Sequence, residues 1–236
     1  MMSNIGRIFM VIPARGGSKR LPRKNVLNLA GKPLVCWTIE AAISTNLNAA
    51  IIVTSDDDEI LEIAEKYSSQ GVSAYKRPDF LASDTASTVD VVIDVIKREQ
   101  ACEADTIVLL QPTSPLRTAD HINSALNLFQ EGGNIDAVVG VCQVEHPTSW
   151  VGYIEVPPYL EGIDVSGRRS QEYKPEYRLN GAIYIAKVGE IVKNNSLFTS
   201  RLRAFIMPDH CSVDIDREID FNICEALLNK VQEDAC

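Results

Sequence analysis

The sequence predicts an α/β fold: a mostly parallel sheet with helices on both faces. Three observations predict it. Short apolar runs alternate with segments of helical periodicity along most of the chain. The run TIVLLQ (106–111) shows no polar alternation, as expected for a strand covered on both faces of a parallel sheet. Glycine, proline and charged residues collect in the loops that follow the strands, which is where open α/β sheets bind ligands.

The elements follow in order. RIFMVIPA (7–14) is a short buried strand ended by a glycine-rich loop. KPLVCWTIEAAIST (32–45) is a helix, with Pro33 suited to its first turn. AAIIVTS (49–55) is the next strand. In DDDEILEIAEKY (56–67), Ile60, Ile63, Ala64 and Tyr67 recur at helical spacing. Acids crowd the start of that helix, where its dipole favours them. A short strand ends at YKRP (75–78), and the helix within SDTASTVDVVIDVIKREQ (83–100) has Val89, Val92, Ile93 and Ile96 on its apolar face. After TIVLLQ come a loop, PTSPLR (112–117), a helix, TADHINSALNLFQ (118–130), and a strand, DAVVGVCQV (136–144). The pattern then changes. Pro157, Pro158, Gly162, Gly167 and Pro175 break the stretch 150–178, which reads as an insertion leaving the main layer. Regularity returns with NGAIYIAK (180–187), a short helix, RAFIMP (203–208), and a final helix after VDID (213–216). The expected division is an α/β unit of residues 1–149 and 179–236 around an insertion of 150–178.

The chain of 236 residues carries a net charge of -9, which argues against general nucleic-acid binding. The basic stretch VIPARGGSKRLPRKN (11–25) is therefore a local site rather than part of a basic face. A localisation-like basic run is the blander reading. Its place after a buried strand, with turn residues inside it, argues against that. None of the six cysteines forms a C-x-x-C pair, so they read as small buried hydrophobes in a reducing compartment. The apolar run near the N-terminus is too short for a membrane span and lacks a cleavage region. The expectation is a cytoplasmic protein with no membrane partner.

The basic loop suits phosphate. Gly16 and Gly17 let the backbone approach a ligand with N–H groups pointing inward, and Ser18 adds a hydroxyl. Arg15 offers a bidentate fork, while Lys19 and Lys24 act as mobile point charges. So many cations in one loop suit a nucleoside triphosphate or pyrophosphate. The loop matches neither G-x-x-x-x-G-K-[ST] nor G-x-G-x-x-G. In VDID, alternation along an extended segment lets Asp214 and Asp216 face one side. Alone, the pair serves equally to cap the final helix. Beside a triphosphate loop, hard paired oxygens suit Mg²⁺. His121, His146 and His210 show no metal-ligand spacing, and no nucleophile elbow accompanies them.

Taken together, IPARGGSKRLPRKN, RPDFLASDTAS, LLQPTSPLR, NGAIYI and VDID, in that order, resemble the N-acylneuraminate cytidylyltransferases, over about residues 8–228. The resemblance implies a Rossmann-like domain with a small dimerisation subdomain at 150–178, and a homodimer. It implies transfer of CMP from CTP to the anomeric hydroxyl of an acidic nine-carbon sugar, N-acetylneuraminate first, with Mg²⁺ required. Arg15, Gly16, Ser18, Lys19, Lys24 and Asn25 would cradle the phosphates; Arg77 and Thr88 would hold cytosine and ribose. Gln111, Asn180 and Tyr184 would contact the sugar, with Phe198 at its acyl group. Asp214 and Asp216 would bind Mg²⁺, and Lys24, Asp214 and Arg15 would carry the catalysis. Family members can carry a lysine just after EH.P that contacts the sugar carboxylate from the partner subunit. This chain has Ser149 and Trp150 there, so Arg169 becomes the candidate instead. The rival readings are the same reaction on legionaminic or pseudaminic acid, and a non-catalytic nucleotide-binding module.

Overall fold

The computed structural model describes residues 6–82, 86–131, 135–154, 159–164 and 166–234. Its strands in chain order are β1 (Ile8–Pro13), β2 (Asn28–Leu29), β3 (Lys32–Pro33), β4 (Ala49–Ser55), β5 (Val72–Lys76), β6 (Thr106–Leu109), β7 (Ala137–Gln143), β8 (Tyr153–Ile154), β9 (Leu160–Glu161), β10 (Tyr177–Lys187) and β11 (Leu202–Ile206). Its helices are α1 (Leu34–Ile43), α2 (Asp58–Glu65), α3 (Thr88–Arg98), α4 (Ala119–Gln130), α5 (Val188–Asn194) and α6 (Glu218–Asp234).

Seven strands form one sheet in the order β11-β7-β10-β6-β1-β4-β5. Only β10 runs against its neighbours, pairing antiparallel with both β6 and β7. The mostly parallel α/β architecture expected from the sequence is the one found. Strand alternation sorts the core into two layers. Met10, Ile12, Val108 and Leu110 pack on one face with Ile39 of α1, Ile60 of α2 and Leu126 of α4. Phe9, Val11, Ile107 and Leu109 pack on the other with Val92 of α3 and Ile191 of α5. A third cluster joins Leu29 and Leu34 to Cys224 and Leu228 of α6.

Local signals set the helix starts. The Asp57 carboxylate accepts from the backbone N–H groups of Glu59 and Ile60 and so caps α2. Ser87 and Asp90 form a capping box at α3, as Thr118 and His121 do at α4. Pro33 is the residue just before α1 rather than within its first turn. The apolar face of α3 also departs from expectation. Val91, Val92, Val95 and Ile96 are buried, whereas Val89 and Ile93 only border the core. Adjacent valines made the stripe ambiguous by one position, and packing on the sheet chose between them.

Among the described cysteines, all free, Cys36, Cys142 and Cys224 are buried; Cys211 is half-buried and Cys102 is exposed, so the buried reading does not extend to Cys102. Cys236 lies outside the described residues. After β7 the chain leaves the main sheet. It forms a separate antiparallel pair, β8 with β9, and rejoins the sheet in β10. Pro157 and Pro158, which helped mark this stretch in the sequence, lie outside the described residues. Among the described residues no helix is long and apolar enough to cross a membrane.

Candidate active site

Parallel strands β1, β4 and β5 deliver their following loops to one edge of the sheet, and the segment after β6 joins them. There the loops after β1, β5 and β6 border a cleft of about 560 Å³. Arg15, Ser18, Lys19, Arg20, Lys24 and Asn25 line it from the loop after β1; Arg77 follows β5; Gln111 and Thr113 follow β6. Ser87 and Thr88 add the start of α3, and Asp214 and Asp216 approach from far along the chain. Five cations thus face two carboxylates. Part of the expected RPDFLASDTAS wall, residues 83–85, lies outside the described residues.

The loop after β1 is built around its polar contacts. The Asn25 side-chain amide donates to the Arg15 carbonyl at 2.9 Å, closing the loop across ten residues. Gly16 does not point its N–H into the cleft, as the sequence reading expected. It donates to the Asp56 carboxylate at 3.2 Å, and a Cβ there would meet Asp57 Oδ2 at 2.5 Å. Gly16 therefore allows the loop to pass close to the capped start of α2, and it does not line the cleft. Arg23 likewise turns away, donating to Asp57 at 2.8 Å and also pairing with Glu59. The residue itself adopts a left-handed conformation, φ 55°. Arg20 turns the other way: its Nη1 lies 2.5 Å from Asp216 Oδ2.

Lys24 is nearly buried, unusual for a lysine. Its Nζ donates to the Ile215 carbonyl and lies 3.2 Å from Asp216 Oδ1. Arg77 is also buried, donates to the Thr54 carbonyl at 2.8 Å, and leaves its Nε without a protein partner. Burial lowers its pKa, and the nearby Arg15 charge adds to that, while acids oppose it. A guanidinium held this way, beside an open cleft, is ready for an anion or a carbonyl oxygen.

Ile215 explains how VDID presents its acids. Its side chain is buried in the α6 cluster, and its N–H donates to the Thr113 carbonyl at 2.8 Å. Alternation then turns Asp214 and Asp216 to the cleft. Asp214 keeps an accessible edge, but its surroundings desolvate it and raise its pKa, and the Asp216 charge adds to the rise. Asp220 serves the helix start instead, accepting from the backbone N–H groups of Asp216 and Arg217.

Across from these acids, β10 carries an irregularity between Leu179 and Tyr184. Gly181, at φ 77°, lies there; a Cβ would meet Gln111 Oε1 at 2.9 Å and Asp214 Cγ at 3.7 Å. This close approach is what NGAIY requires of its glycine. Asn180 does not reach the cleft. It is buried, donates to Ser212 Oγ at 3.0 Å and Met207 Sδ at 3.2 Å, and accepts from the Ala182 N–H at 3.1 Å. Gly140 of β7 makes room for it, since a Cβ there would meet Asn180 Oδ1 at 2.6 Å. Its place is to hold the irregular strand. Tyr184 and Phe198 meet edge to face, with ring centroids 6.0 Å apart. Burial and the Asp214 charge raise the Tyr184 pKa, but neither ring lines the cleft itself. Arg169, exposed on the insertion, does not line the cleft of its own chain.

Sequence reasoning missed two arginines. Arg20 was indistinguishable from its basic neighbours. Arg117 carried no signal, because its burial is a tertiary effect. It donates to the carbonyls of Gln111 at 3.2 Å and Ala182 at 2.9 Å, and to Thr38 Oγ1 at 2.6 Å. Its burial lowers its pKa to about 9, so it remains charged at neutral pH. It ties the segment after β6 to the bulge of β10 underneath the cleft.

Residues 9–156 match the model of the family described as Cytidylyltransferase. A CMP-N,N'-diacetyllegionaminic acid synthase of Legionella pneumophila is 35% identical, over 96% of this chain and 98% of that one. An N-acylneuraminate cytidylyltransferase of Escherichia coli is 33% identical over 95% of this chain, which spans 52% of that protein. A pseudaminic acid cytidylyltransferase of Campylobacter jejuni is 29% identical over 95% and 97% of the two chains. Among solved structures, CMP:2-keto-3-deoxy-manno-octonic acid synthetase complexed with CTP shares the fold with a TM-score of 0.71 at 18% identity, over 96% of this chain and all of that one.

Proposed function

Since the chain belongs to the cytidylyltransferase family, we propose that it transfers CMP from CTP to the anomeric hydroxyl of a nonulosonic acid, releasing pyrophosphate. The observation that carries this reading is the meeting of the basic loop with Asp214 and Asp216 in one cleft. Arg15, Ser18, Lys19 and Lys24 bind the triphosphate, with Asn25 holding the loop closed. Arg77 and Thr88 take the nucleoside. Gln111, Tyr184 and Phe198 face the sugar, while Asn180 and Gly16 shape the backbone behind the site.

Asp214 and Asp216 would hold Mg²⁺. Two adjoining carboxylates, one with its pKa raised by burial and by the other's charge, suit a hard cation that completes its shell with water and phosphate. When bound, Mg²⁺ supplies neutralising charge at the phosphate oxygens.

The reaction is an in-line displacement. The sugar hydroxyl oxygen forms a bond to the α-phosphorus as the bond to the β-phosphate oxygen breaks, and pyrophosphate leaves with the electron pair. Asp214, or a water it holds, takes the proton of the attacking hydroxyl; desolvation by its surroundings raises the Asp214 pKa above that of an ordinary aspartate. Lys24 and Arg15 stabilise charge on the α-phosphate and the leaving group, with contacts of this kind worth ~10²–10³ in rate each.

Two acceptors are supported. The motif set favours N-acetylneuraminate. The Legionella relative, aligned over nearly all of both chains, favours a di-N-acylated legionaminic acid. We place both in a homodimer. The insertion exposes Val151, Tyr153, Ile154, Tyr159 and Leu160, an apolar surface that a second copy would cover. Arg169 on that insertion would then serve the other copy's sugar carboxylate. The test is pyrophosphate release with CTP, Mg²⁺ and a panel of nonulosonic acids. Release that depends on one of these sugars is expected. CTP binding without sugar-dependent release would instead identify a nucleotide-binding module.

A further inference from the structure

Asp216 is occupied on both oxygens. Arg20 Nη1 lies 2.5 Å from Oδ2 and Lys24 Nζ lies 3.2 Å from Oδ1. Both cations line the same cleft as the Asp214–Asp216 pair. The two basic residues follow β1, and the acid lies about 190 residues later, so the contact joins distant segments at the cleft. A carboxylate whose oxygens are both held by cations is a poor metal ligand. The same cations are the groups that a triphosphate would attract.

We propose that Arg20 is a positioning residue that latches Asp216 until the nucleotide arrives, so that divalent-cation binding is coupled to CTP binding. The proposal rests on the cytidylyltransferase reading above. Before the nucleotide binds, Asp216 engages the cations that the triphosphate would attract. When the triphosphate enters, Arg20 and Lys24 exchange the carboxylate for phosphate oxygens, and Asp216 turns free for the cation. No bond is made or broken in this exchange; only ion pairs trade partners. Arg20 suits the part better than Lys24. Lys24 is nearly buried and also anchored on the Ile215 carbonyl, whereas the Arg20 side chain is 71% exposed and holds only Asp216. An exposed pair breaks easily, and its release changes a binding constant by about two- to fivefold.

Four consequences separate this from a general effect of positive charge. Arg20→Ala strengthens binding of Mn²⁺ to the nucleotide-free protein by about two- to fivefold. It reduces, by the same factor, the gain in Mn²⁺ affinity that CTP produces, because coupling between two ligands is reciprocal. Arg20→Lys, which keeps the charge, lies between wild type and Arg20→Ala. Arg23→Ala removes a cation from the same loop, but one that pairs with Asp57 and Glu59 away from the cleft, so it leaves both quantities unchanged.

Electron paramagnetic resonance of free Mn²⁺ measures these affinities in full-length protein, with and without CTP, after subtracting Mn²⁺ bound by CTP in protein-free solution. Arg20 is exposed, so its removal leaves folding intact, which circular dichroism confirms. Equal Mn²⁺ binding by wild type and Arg20→Ala overturns the latch, as does an equal shift in Arg23→Ala. If wild-type protein binds no Mn²⁺ even with CTP, the metal assignment fails and the latch with it. Sugar-dependent pyrophosphate release tests the functional reading separately.

Discussion

The two halves of the seven-stranded sheet differ in how completely the chain finishes them. In the half made by β6, β1, β4 and β5 every pair is parallel, and helices cover both faces. Its strand-end loops line most of the cleft, and the segment after β11 adds Asp214 and Asp216. The half made by β10, β7 and β11 contains the reversed strand and ends in an exposed edge. Leu202 and Ile206 on β11 and Tyr177 and Leu179 on β10 are open to solvent, and the insertion beside them is apolar as well. The lesson is that the basic wall of the cleft comes from the self-sufficient half, while its acid pair comes from the segment after β11. The unfinished half carries the surface on which self-association, and with it sugar recognition, is proposed to depend.

Substitutions can break this contrast from either side. The largest effect is expected inside the cleft: Lys24→Ala lowers kcat by ~10²–10³ in a pyrophosphate-release assay, with folding unchanged. Near-normal turnover would remove Lys24 from the chemistry. On the unfinished half, replacing Ile154 and Leu160 together by serine weakens self-association by about 10²-fold in light scattering. CTP affinity should stay the same; a parallel loss of CTP binding would mean the halves are not separable.

The seam between the halves gives the next effect. Arg117→Ala leaves the Gln111 and Ala182 carbonyls without their buried donor and costs about 2 kcal/mol in urea unfolding. Its KM for sugar should rise more than its KM for CTP, because Gln111 and Gly181 border the side proposed to take the sugar.

Within the parallel half, Asp105 fastens the start of β1 to the start of β6. Burial alone would raise its carboxyl pKa, but hydrogen bonds from Cys102 and Arg7 outweigh that and hold it below the ordinary range. A lowered folded pKa contributes stability above the unfolded value of about 4, and loses it as pH falls through the folded value. Asp105→Asn should therefore be about 1 kcal/mol less stable near pH 7. That gap should close in unfolding curves recorded below about pH 4. The smallest change is Arg23→Ala. Its exposed pairs with Asp57 and Glu59 are screened by solvent, so melting temperature and turnover should hardly move.

Much of this molecule could be read before it was seen folded. The buried run at 106–111, the capped acidic start of α2 and the basic loop at 11–25 all carry local signals, and each falls where those signals put it. The cleft candidates drawn from contiguous loops, from Arg15 to Asn25, came together because they leave one strand end. Residues whose roles depend on distant partners were harder. Asn180 looks like a ligand in NGAIY, yet Met207, Ser212 and Ala182 absorb its polar atoms. Gly16 looks like part of an inward-facing nest, yet its N–H answers Asp56, forty residues away.

By itself the sequence determined the layers, the order of most elements, and the kinds of group proposed to bind phosphate and metal, because periodicity, capping and residue chemistry act over a few neighbours. Tertiary structure alone decided which cation faces which acid. Arg20 and Arg23 stand three residues apart in one basic loop, with the same side chain and the same intrinsic charge. One meets Asp216 across the cleft and the other meets the start of α2, because the left-handed turn at Arg23 and the packing of Ile215 place different acids within reach.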